Sequence, residues 1–159
     1  MINLEKALVK DAKELLKIQK QCFKNYSIKY GDFDSNPYHM TLHRMEFNLK
    51  YKFGHYYKIV DFASEQIIGG IFIFELDDPS VMQIAQFYII DEFRHLGIGR
   101  LVFDAVLTKH CNVKTWYVDT ILEEDHNVNF YKKAGFIEVE REEEHKGLSF
   151  VTLIKKKIS

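Results

Sequence analysis

The order of predicted elements indicates a mixed α/β fold, in which helices flank a central, mostly antiparallel sheet. Periodicity along the chain predicts a strand, two helices, three strands, a helix, a strand, a helix and two final strands. Neighbouring strands with short connections predict antiparallel hairpins, and the strand–helix–strand unit over residues 81–122 predicts a parallel crossover. The 159 residues have the size of one domain, so we expect a single domain over residues 1–159.

The N-terminal third predicts a strand, a helix and a loop. Ile2–Leu8 is the predicted strand. Asp11 followed by Glu14 has the spacing of a capping box that opens a helix. Tyr26–Tyr38 is rich in turn-forming residues, and we predict a loop there. This loop carries aromatic residues at positions 26, 30, 33 and 38, more than a surface loop needs.

Two-residue and helical periodicities continue through the rest of the chain. Leu42, Met45 and Leu49 have helical spacing, and His55–Phe62 with Ile67–Leu76 forms a predicted hairpin. Further predicted strands are Val81–Ile90, Lys114–Leu122, Phe136–Arg141 and Leu148–Lys155. One predicted helix follows the glycines at 97 and 99 and ends at about His110, and a second, short helix ends at Gly135. The acidic run Glu142–Glu144 is predicted to be a solvated turn.

Composition excludes several classes of function. The net charge is −1, from 22 basic and 23 acidic residues, so no overall field favours nucleic acid or an anionic membrane. The longest apolar runs are too short to span a bilayer, and the first residues lack a signal peptide's apolar segment, so we expect a cytoplasmic protein. Cys22 and Cys111 show no paired spacing and the seven histidines no metal-ligand spacing, so we expect neither a disulfide nor a metal site.

The stretch Gln86–Leu107 is the most informative part of the chain. A strand enters a loop with Gly97 and Gly99, and a helix follows. The first N–H groups of a helix have no intrahelical partner, and together with the helix dipole they suit a phosphate or pyrophosphate. Arg100 and Leu101 follow the second glycine where a P-loop needs Lys and then Ser or Thr, so a P-loop is excluded.

Two motifs in this region resemble the GNAT superfamily of N-acetyltransferases. Arg94-His95-Leu96-Gly97-Ile98-Gly99 is similar to the family's pyrophosphate motif, Arg/Gln-x-x-Gly-x-Gly/Ala. The stretch 127–136 then resembles its downstream helix, with the Phe130-Tyr131 pair and a Gly-Phe ending. The resemblance covers about the last two thirds of the chain, and the first 60 residues or so match only in the order of elements.

The resemblance implies a GNAT-like acyl-CoA N-acyltransferase fold with acetyl-CoA as cosubstrate. The strands before and after the glycine-loop helix would splay apart to hold the pantetheine arm. A backbone N–H near Tyr88 or Ile89 would stabilise the oxyanion, and Tyr131 would be the catalytic acid that protonates the leaving thiolate. The residues implied to bind the cofactor are Phe87, Tyr88, Ile89, Arg94, His95, Leu96, Gly97, Ile98, Gly99, Arg100 and Asn127.

Two positions depart from the family pattern. Glu124 stands where the family often has Asn, which puts one cofactor contact in doubt. Many members carry a glutamate base on the strand before the loop, whereas this strand offers only Gln83 and Gln86. Asp119, Tyr88 or a water molecule are the alternatives for the base.

The sequence therefore predicts an N-acetyltransferase that moves an acetyl group directly to a primary amine of a small molecule or peptide. The 26–38 loop and the segment around Glu142–Gly147 would line the acceptor, and a homodimer is left open. A dinucleotide-binding oxidoreductase is one alternative, since Asp119 lies about 20 residues beyond the glycines. Val102 at the sixth motif position, and the several preceding strands, speak against it. A noncatalytic CoA-binding sensor is the other, supported only by the missing glutamate.

Overall fold

The structure is a computed structural model that describes residues 1–32 and 36–158. Its strands are β1 (Ile2–Lys6), β2 (Gly54–Asp61), β3 (Ile67–Glu75), β4 (Val81–Ile89), β5 (Thr115–Ile121), β6 (Ile137–His145) and β7 (Leu148–Lys156). Its α-helices are α1 (Ala12–Tyr30), α2 (Leu42–Lys50), α3 (Ile98–Lys109) and α4 (Asp125–Lys133). Within these ranges, no helix has the length and hydrophobicity of a membrane span.

The described strands form one seven-stranded sheet in the order β1-β2-β3-β4-β5-β7-β6. Every neighbouring pair is antiparallel except β4 and β5, which are parallel and joined through α3. A parallel pair needs such a crossover, and the apolar face of α3 covers the sheet on its way between the two strands. The predicted mixed, mostly antiparallel sheet and its order of elements are confirmed.

Helices cover both faces of the sheet, and each face has its own apolar core. On one face α1 and α2 place Leu15 and Met45, both fully buried, against Tyr56 of β2. On the other face α3 and α4 pack against the sheet, with Phe103 meeting Trp116 at a ring-centroid distance of 6.4 Å. We call these the α1/α2 face and the α3/α4 face.

The predicted capping box at the start of the first helix is wrong. A short 3₁₀ turn, Val9–Asp11, precedes α1, and the Asp11 carboxylate accepts the Leu8 N–H at 2.8 Å. Its other oxygen lies 3.1 Å from Lys58 Nζ on β2. Asp11 makes no side-chain hydrogen bond to the first turn of α1, because its carboxylate already serves the 3₁₀ turn and the sheet.

The predicted loop over Tyr26–Tyr38 is wrong in its first part. α1 continues to Tyr30, and Gly31 ends it in the left-handed region with φ +61°. Ser27 and Tyr30 are buried on the face that α1 already presents to the protein, so packing outweighs the local turn-forming composition. Tyr38 lies in a 3₁₀ turn, Pro37–His39, and Phe33 lies outside the described residues.

The acidic run near the C-terminus is strand rather than turn, so that prediction is also wrong. Glu142–Glu144 belongs to β6, and the chain reverses at Lys146 and Gly147, where Gly147 has φ +89°. β6 is an edge strand with β7 on one side only, and the three glutamates are exposed. An edge strand tolerates such charges because they remain in solvent on both faces.

Candidate active site

A cleft opens where the two parallel strands separate. β4 pairs with β5 only from Val81 opposite Thr115 to Ile84 opposite Val118. Beyond Ile84, β4 keeps β3 on one edge and has no strand on the other, so its backbone groups on the open edge lack ladder partners. The resulting cleft has a volume of about 470 Å³ and is lined by residues of α1, β4, β5, α3, α4 and β7.

A β-bulge at Ala85 starts this divergence. Ile73 of β3 faces Ile84, whereas Phe72 faces Gln86, so one extra residue is inserted in β4. A bulge bends its strand and inverts which face the following side chains occupy. From here Phe87 and Ile89 face the α3/α4 side, while Gln86 and Tyr88 face the α1/α2 side.

The N-terminus of α3 lies at one end of the cleft. Gly97 precedes the helix with φ +78°, a region that a side chain other than glycine's rarely adopts, and it has no capping side chain. A Cβ on Gly97 would have nothing within 4 Å, whereas one on Gly99 would lie 3.2 Å from the Phe130 ring. The open space above Gly97 and the first N–H groups of α3 are features that suit an anion.

Cationic side chains surround this helix terminus. The Arg94 guanidinium, 34% exposed, lies 3.6 Å from the Asp91 carboxylate. His95 has a positive φ of 62°, and its ring contacts that of His126 at 5.3 Å between centroids. Arg100 is held by Asp104, with 3.1 Å between Nε and Oδ1. The two guanidinium groups thus add positive charge beside the positive end of the α3 dipole.

The cofactor residues implied by sequence are brought together by the fold with one exception. All of them line the cleft except Leu96, which is 67% exposed. Leu96 therefore could contribute only its backbone. Their contacts with a cofactor remain a prediction, since lining a cleft is necessary for binding but not sufficient.

Tyr131 reaches the cleft from α4. Its ring packs at right angles to Phe130 and at 71° to Phe136, with centroids 5.1 and 5.3 Å away. Within residues 1–32 and 36–158 its hydroxyl has no hydrogen-bond partner, although it lines the cleft. Burial raises the pKa of Tyr131 above its ordinary value, so the group carries its proton at neutral pH and can act as a donor.

The two side chains suggested for the base differ in environment. The buried Tyr88 hydroxyl hydrogen-bonds to that of Tyr56, and burial raises the pKa of Tyr88 well above its ordinary value. A phenol held in its protonated form is a poor proton acceptor. Asp119, in contrast, is exposed to the cleft and accepts a hydrogen bond from the Thr152 hydroxyl.

Glu124, just before α4, links that helix to the end of α1. Its carboxylate accepts a hydrogen bond from the Tyr30 hydroxyl and lies 2.8 Å from Lys29 Nζ, both at the end of α1. Burial would raise the pKa of Glu124, but the hydrogen bonds from Lys29 and Tyr30 hold it below its ordinary value. The residue that departs from the family pattern thus has a structural partner, which sequence separations of 94 and 95 residues concealed.

α1 and β7 also contribute cleft residues that sequence reasoning did not assign to the site. Cys22 and Phe23 line the cleft from α1, and Phe150 lines it from β7. Burial, with a smaller effect of the Asp91 charge, raises the pKa of Cys22 to about 12, so this thiol is not a nucleophile at neutral pH. Leu15, Cys22 and Tyr26 recur at helical spacing, which indicates a buried face, and only the fold shows that this face ends at a cleft.

A sheet opened between two parallel strands, with a glycine-rich helix terminus at one mouth, is the arrangement of the acyltransferase fold that the sequence resembles. The chain belongs to the GNAT acetyltransferases: the family model described as an acetyltransferase (GNAT) domain matches residues 34–157. No curated protein matches the chain at a significant level.

Solved structures agree with this fold over nearly the whole chain. An acetyltransferase from Thermus thermophilus has a TM-score of 0.76 at 13% identity, covering 99% of this chain and 97% of that one. The ribosomal-protein-S18-alanine N-acetyltransferase from Escherichia coli has a TM-score of 0.79 at 8% identity, with coverages of 98% and 94%. A GNAT acetyltransferase from Staphylococcus aureus has a TM-score of 0.71 at 20% identity, with coverages of 98% and 99%. At these identities the likeness is one of fold.

Proposed function

We propose that this protein is an acetyl-CoA-dependent N-acetyltransferase that transfers the acetyl group directly to a primary amine of a small molecule or peptide. One observation carries the proposal. The gap between β4 and β5 connects the anion site at the α3 terminus with the α1/α2 face of the sheet. An acyl donor held from one face and an amine entering from the other would meet inside this gap.

The residues at the α3 end fit the diphosphate of CoA. Unpaired helix N–H groups, the space above Gly97, and the Arg94 guanidinium are all suited to an anion with several oxygens. The open edge of β4 between Ala85 and Ile89 offers backbone groups to the amides of a pantetheine arm. When bound, acetyl-CoA supplies an acetyl group activated as a thioester.

The chain's own residues would assist the transfer in two ways. A β4 N–H near Tyr88 or Ile89, unpaired on the cleft side, would hydrogen-bond to the carbonyl oxygen as negative charge develops there. Tyr131 would donate its proton to the departing sulfur, since its hydroxyl has no described protein partner to satisfy. No acyl-enzyme is needed, because no cleft side chain is an activated nucleophile among the residues that the structure describes.

The two alternatives fit less well. A dinucleotide-binding oxidoreductase needs a doubly wound parallel sheet, whereas here one strand pair is parallel and the chain belongs to the GNAT family. A noncatalytic sensor had the missing glutamate as its support, but Asp119 supplies a carboxylate in the same cleft. The proposed enzyme is a single cytoplasmic domain, and the proposal is compatible with a homodimer.

Calorimetry tests the choice of cofactor. We expect CoA and acetyl-CoA to bind and NAD and NADP not to bind. Thiol release from acetyl-CoA should then rise when a suitable amine is added. Binding of NAD without any binding of CoA would overturn the proposed function.

A further inference from the structure

We infer that the acceptor is a primary amine with an apolar body and no carboxylate beside the amino group, and that Asp119 binds its ammonium group. This inference rests on the proposed function and specifies its acceptor. It is carried by the distribution of charge along the cleft.

Asp119 is the only carboxylate among the described residues that line the cleft. The basic residues that line the cleft are Arg94 and His95 just before α3, Arg100 in its first turn and His126 in α4. In the described ranges, no Lys, Arg or His nitrogen lies within 4 Å of the Asp119 carboxylate. A negative charge without a cationic partner therefore stands in a cleft that must receive an amine.

Asp119 faces the side from which the acceptor would enter. Trp116 and Val118 of β5 belong to the core on the α3/α4 face. Side chains alternate along a strand, so Asp119 points to the α1/α2 face. Thr152 lies directly opposite on β7, and its hydroxyl donates to Oδ1 of Asp119. This hydrogen bond orients the carboxylate and leaves the second oxygen for an ammonium N–H.

Glu124, which adjoins the end of α1, is already neutralised. Glu124 is bound by Lys29 and Tyr30, so it offers no charge to a second ammonium. Among the described residues that line the cleft, one carboxylate is thus available for one ammonium group, which disfavours acceptors that carry several.

Aromatic rings form part of the proposed acceptor surface. Phe23 and Tyr26 line the cleft from α1, and Phe150 lines it from β7 beside Thr152. Phe23 and Tyr26 lie edge to face, with centroids 6.2 Å apart. Such a wall buries an alkyl or aryl body and offers an ammonium group further attraction through ring faces.

An α-amino acid would fit poorly for an electrostatic reason. Its carboxylate is fixed two bonds from the ammonium nitrogen and would approach Asp119 together with it. Two like charges about 4 Å apart in a partly hydrated cleft repel enough to weaken binding about tenfold or more. An amine that lacks the carboxylate avoids this penalty.

The same carboxylate completes the proton balance of the transfer. The ammonium proton passes to Asp119, and the freed nitrogen lone pair forms the C–N bond to the acetyl carbon. The C–S bond breaks, and the sulfur receives the proton of Tyr131. The acetylated nitrogen then loses its second proton, which returns to Tyr131 directly or through water and leaves a neutral amide, while Asp119 releases its proton to solvent.

A matched pair of acceptors tests the inference, because 2-phenylethylamine and phenylalanine differ only by the α-carboxylate. With acetyl-CoA saturating, we expect 2-phenylethylamine to have a kcat/KM at least about tenfold higher. Asp119→Asn should lower kcat/KM for 2-phenylethylamine by about 10²-fold or more while leaving the Kd of CoA within about twofold. Asp77→Asn, which removes the same charge at the opposite end of the sheet, is the control and should behave like the wild type.

The outcomes separate the inference from the proposed function. If CoA binds but phenylalanine is the better acceptor, or 2-phenylethylamine is not acetylated, the inference is overturned and the choice of cofactor stands. Full activity of a folded Asp119→Asn variant would also overturn it. If CoA does not bind at all, the proposed function itself fails.

Discussion

Replacing Tyr131 with Phe separates its chemistry from its packing. The substitution removes one hydroxyl and retains the ring that packs against Phe130 and Phe136. No described residue hydrogen-bonds to this hydroxyl, so its loss leaves no buried protein group unpaired. We therefore expect the free energy of unfolding to change by less than about 1 kcal/mol.

The expected effect on catalysis is much larger. A positioned general acid is typically worth about 10²- to 10⁴-fold in rate, which corresponds to roughly 2.7–5.4 kcal/mol in the activation barrier. Because the hydroxyl lies on the cleft wall and the phosphates would bind at the α3 end, the Kd of acetyl-CoA should change by only a few fold. The kcat should thus fall while binding is retained.

Thiol release under saturating acetyl-CoA measures kcat, and calorimetry measures the Kd. A more acidic leaving thiol needs less protonation, so the loss in kcat should shrink with such a donor. Tyr57→Phe is a suitable control, because the Tyr57 hydroxyl bonds to His110 rather than facing the cleft. A Tyr131→Phe variant that retains most of its kcat would mean that water protonates the thiolate.

Two further predictions concern the glycine loop and the dependence of stability on pH. Gly97→Val and Gly147→Val each place a branched residue at a positive φ and should each cost about 1–3 kcal/mol in unfolding free energy. Only Gly97→Val should weaken CoA binding, as measured by calorimetry. If both variants bind CoA with the same affinity, the phosphates do not bind at Gly97. Burial, with a smaller effect of the His55 charge, lowers the pKa of His110 from 6.5 to about 4. The unfolded chain therefore binds a proton at this residue between those pH values while the folded chain does not, and stability should fall as the pH is lowered from 7 to 5. Urea unfolding should show a smaller fall for His110→Gln, and an equal fall would assign the pH dependence to other groups.

Most of the fold is readable from sequence because its signals are local. The period-two strands, the apolar stripe of α3 and the glycines that bound α3 and α4 predict these elements within about two residues at most ends. The errors occur where a tertiary contact overrides a local signal. α1 continues through Tyr30 because that residue is buried and hydrogen-bonded to Glu124. Asp11 does not cap α1 with its side chain, because its carboxylate binds Lys58 and the Leu8 N–H of the preceding turn.

Some residues of the candidate site were predicted from local sequence motifs, and others were placed there only by the tertiary structure. Gly97, Gly99 and Tyr131 were found from short motifs, since the geometry that they require is encoded within a few neighbouring residues. Asp119 was only one of several choices for a base in sequence, and the structure favours it over Tyr88 by showing Tyr88 buried against Tyr56. Phe150 carried no sequence signal, because its role depends on a strand that pairs with β5 far along the chain.

By itself, then, the sequence determined the order of elements, the family and the anion-binding loop, because periodicity and backbone freedom at glycine are properties of adjacent residues. Only the tertiary structure decided where the sheet opens, which face each side chain of β4 occupies after the bulge at Ala85, and which carboxylates are already paired. The sequence did not show that the Glu124 carboxylate has a cationic partner and that the Asp119 carboxylate has none among the described residues. Lys29 forms an ion pair with Glu124, whereas the only described hydrogen bond to the Asp119 carboxylate comes from the Thr152 hydroxyl.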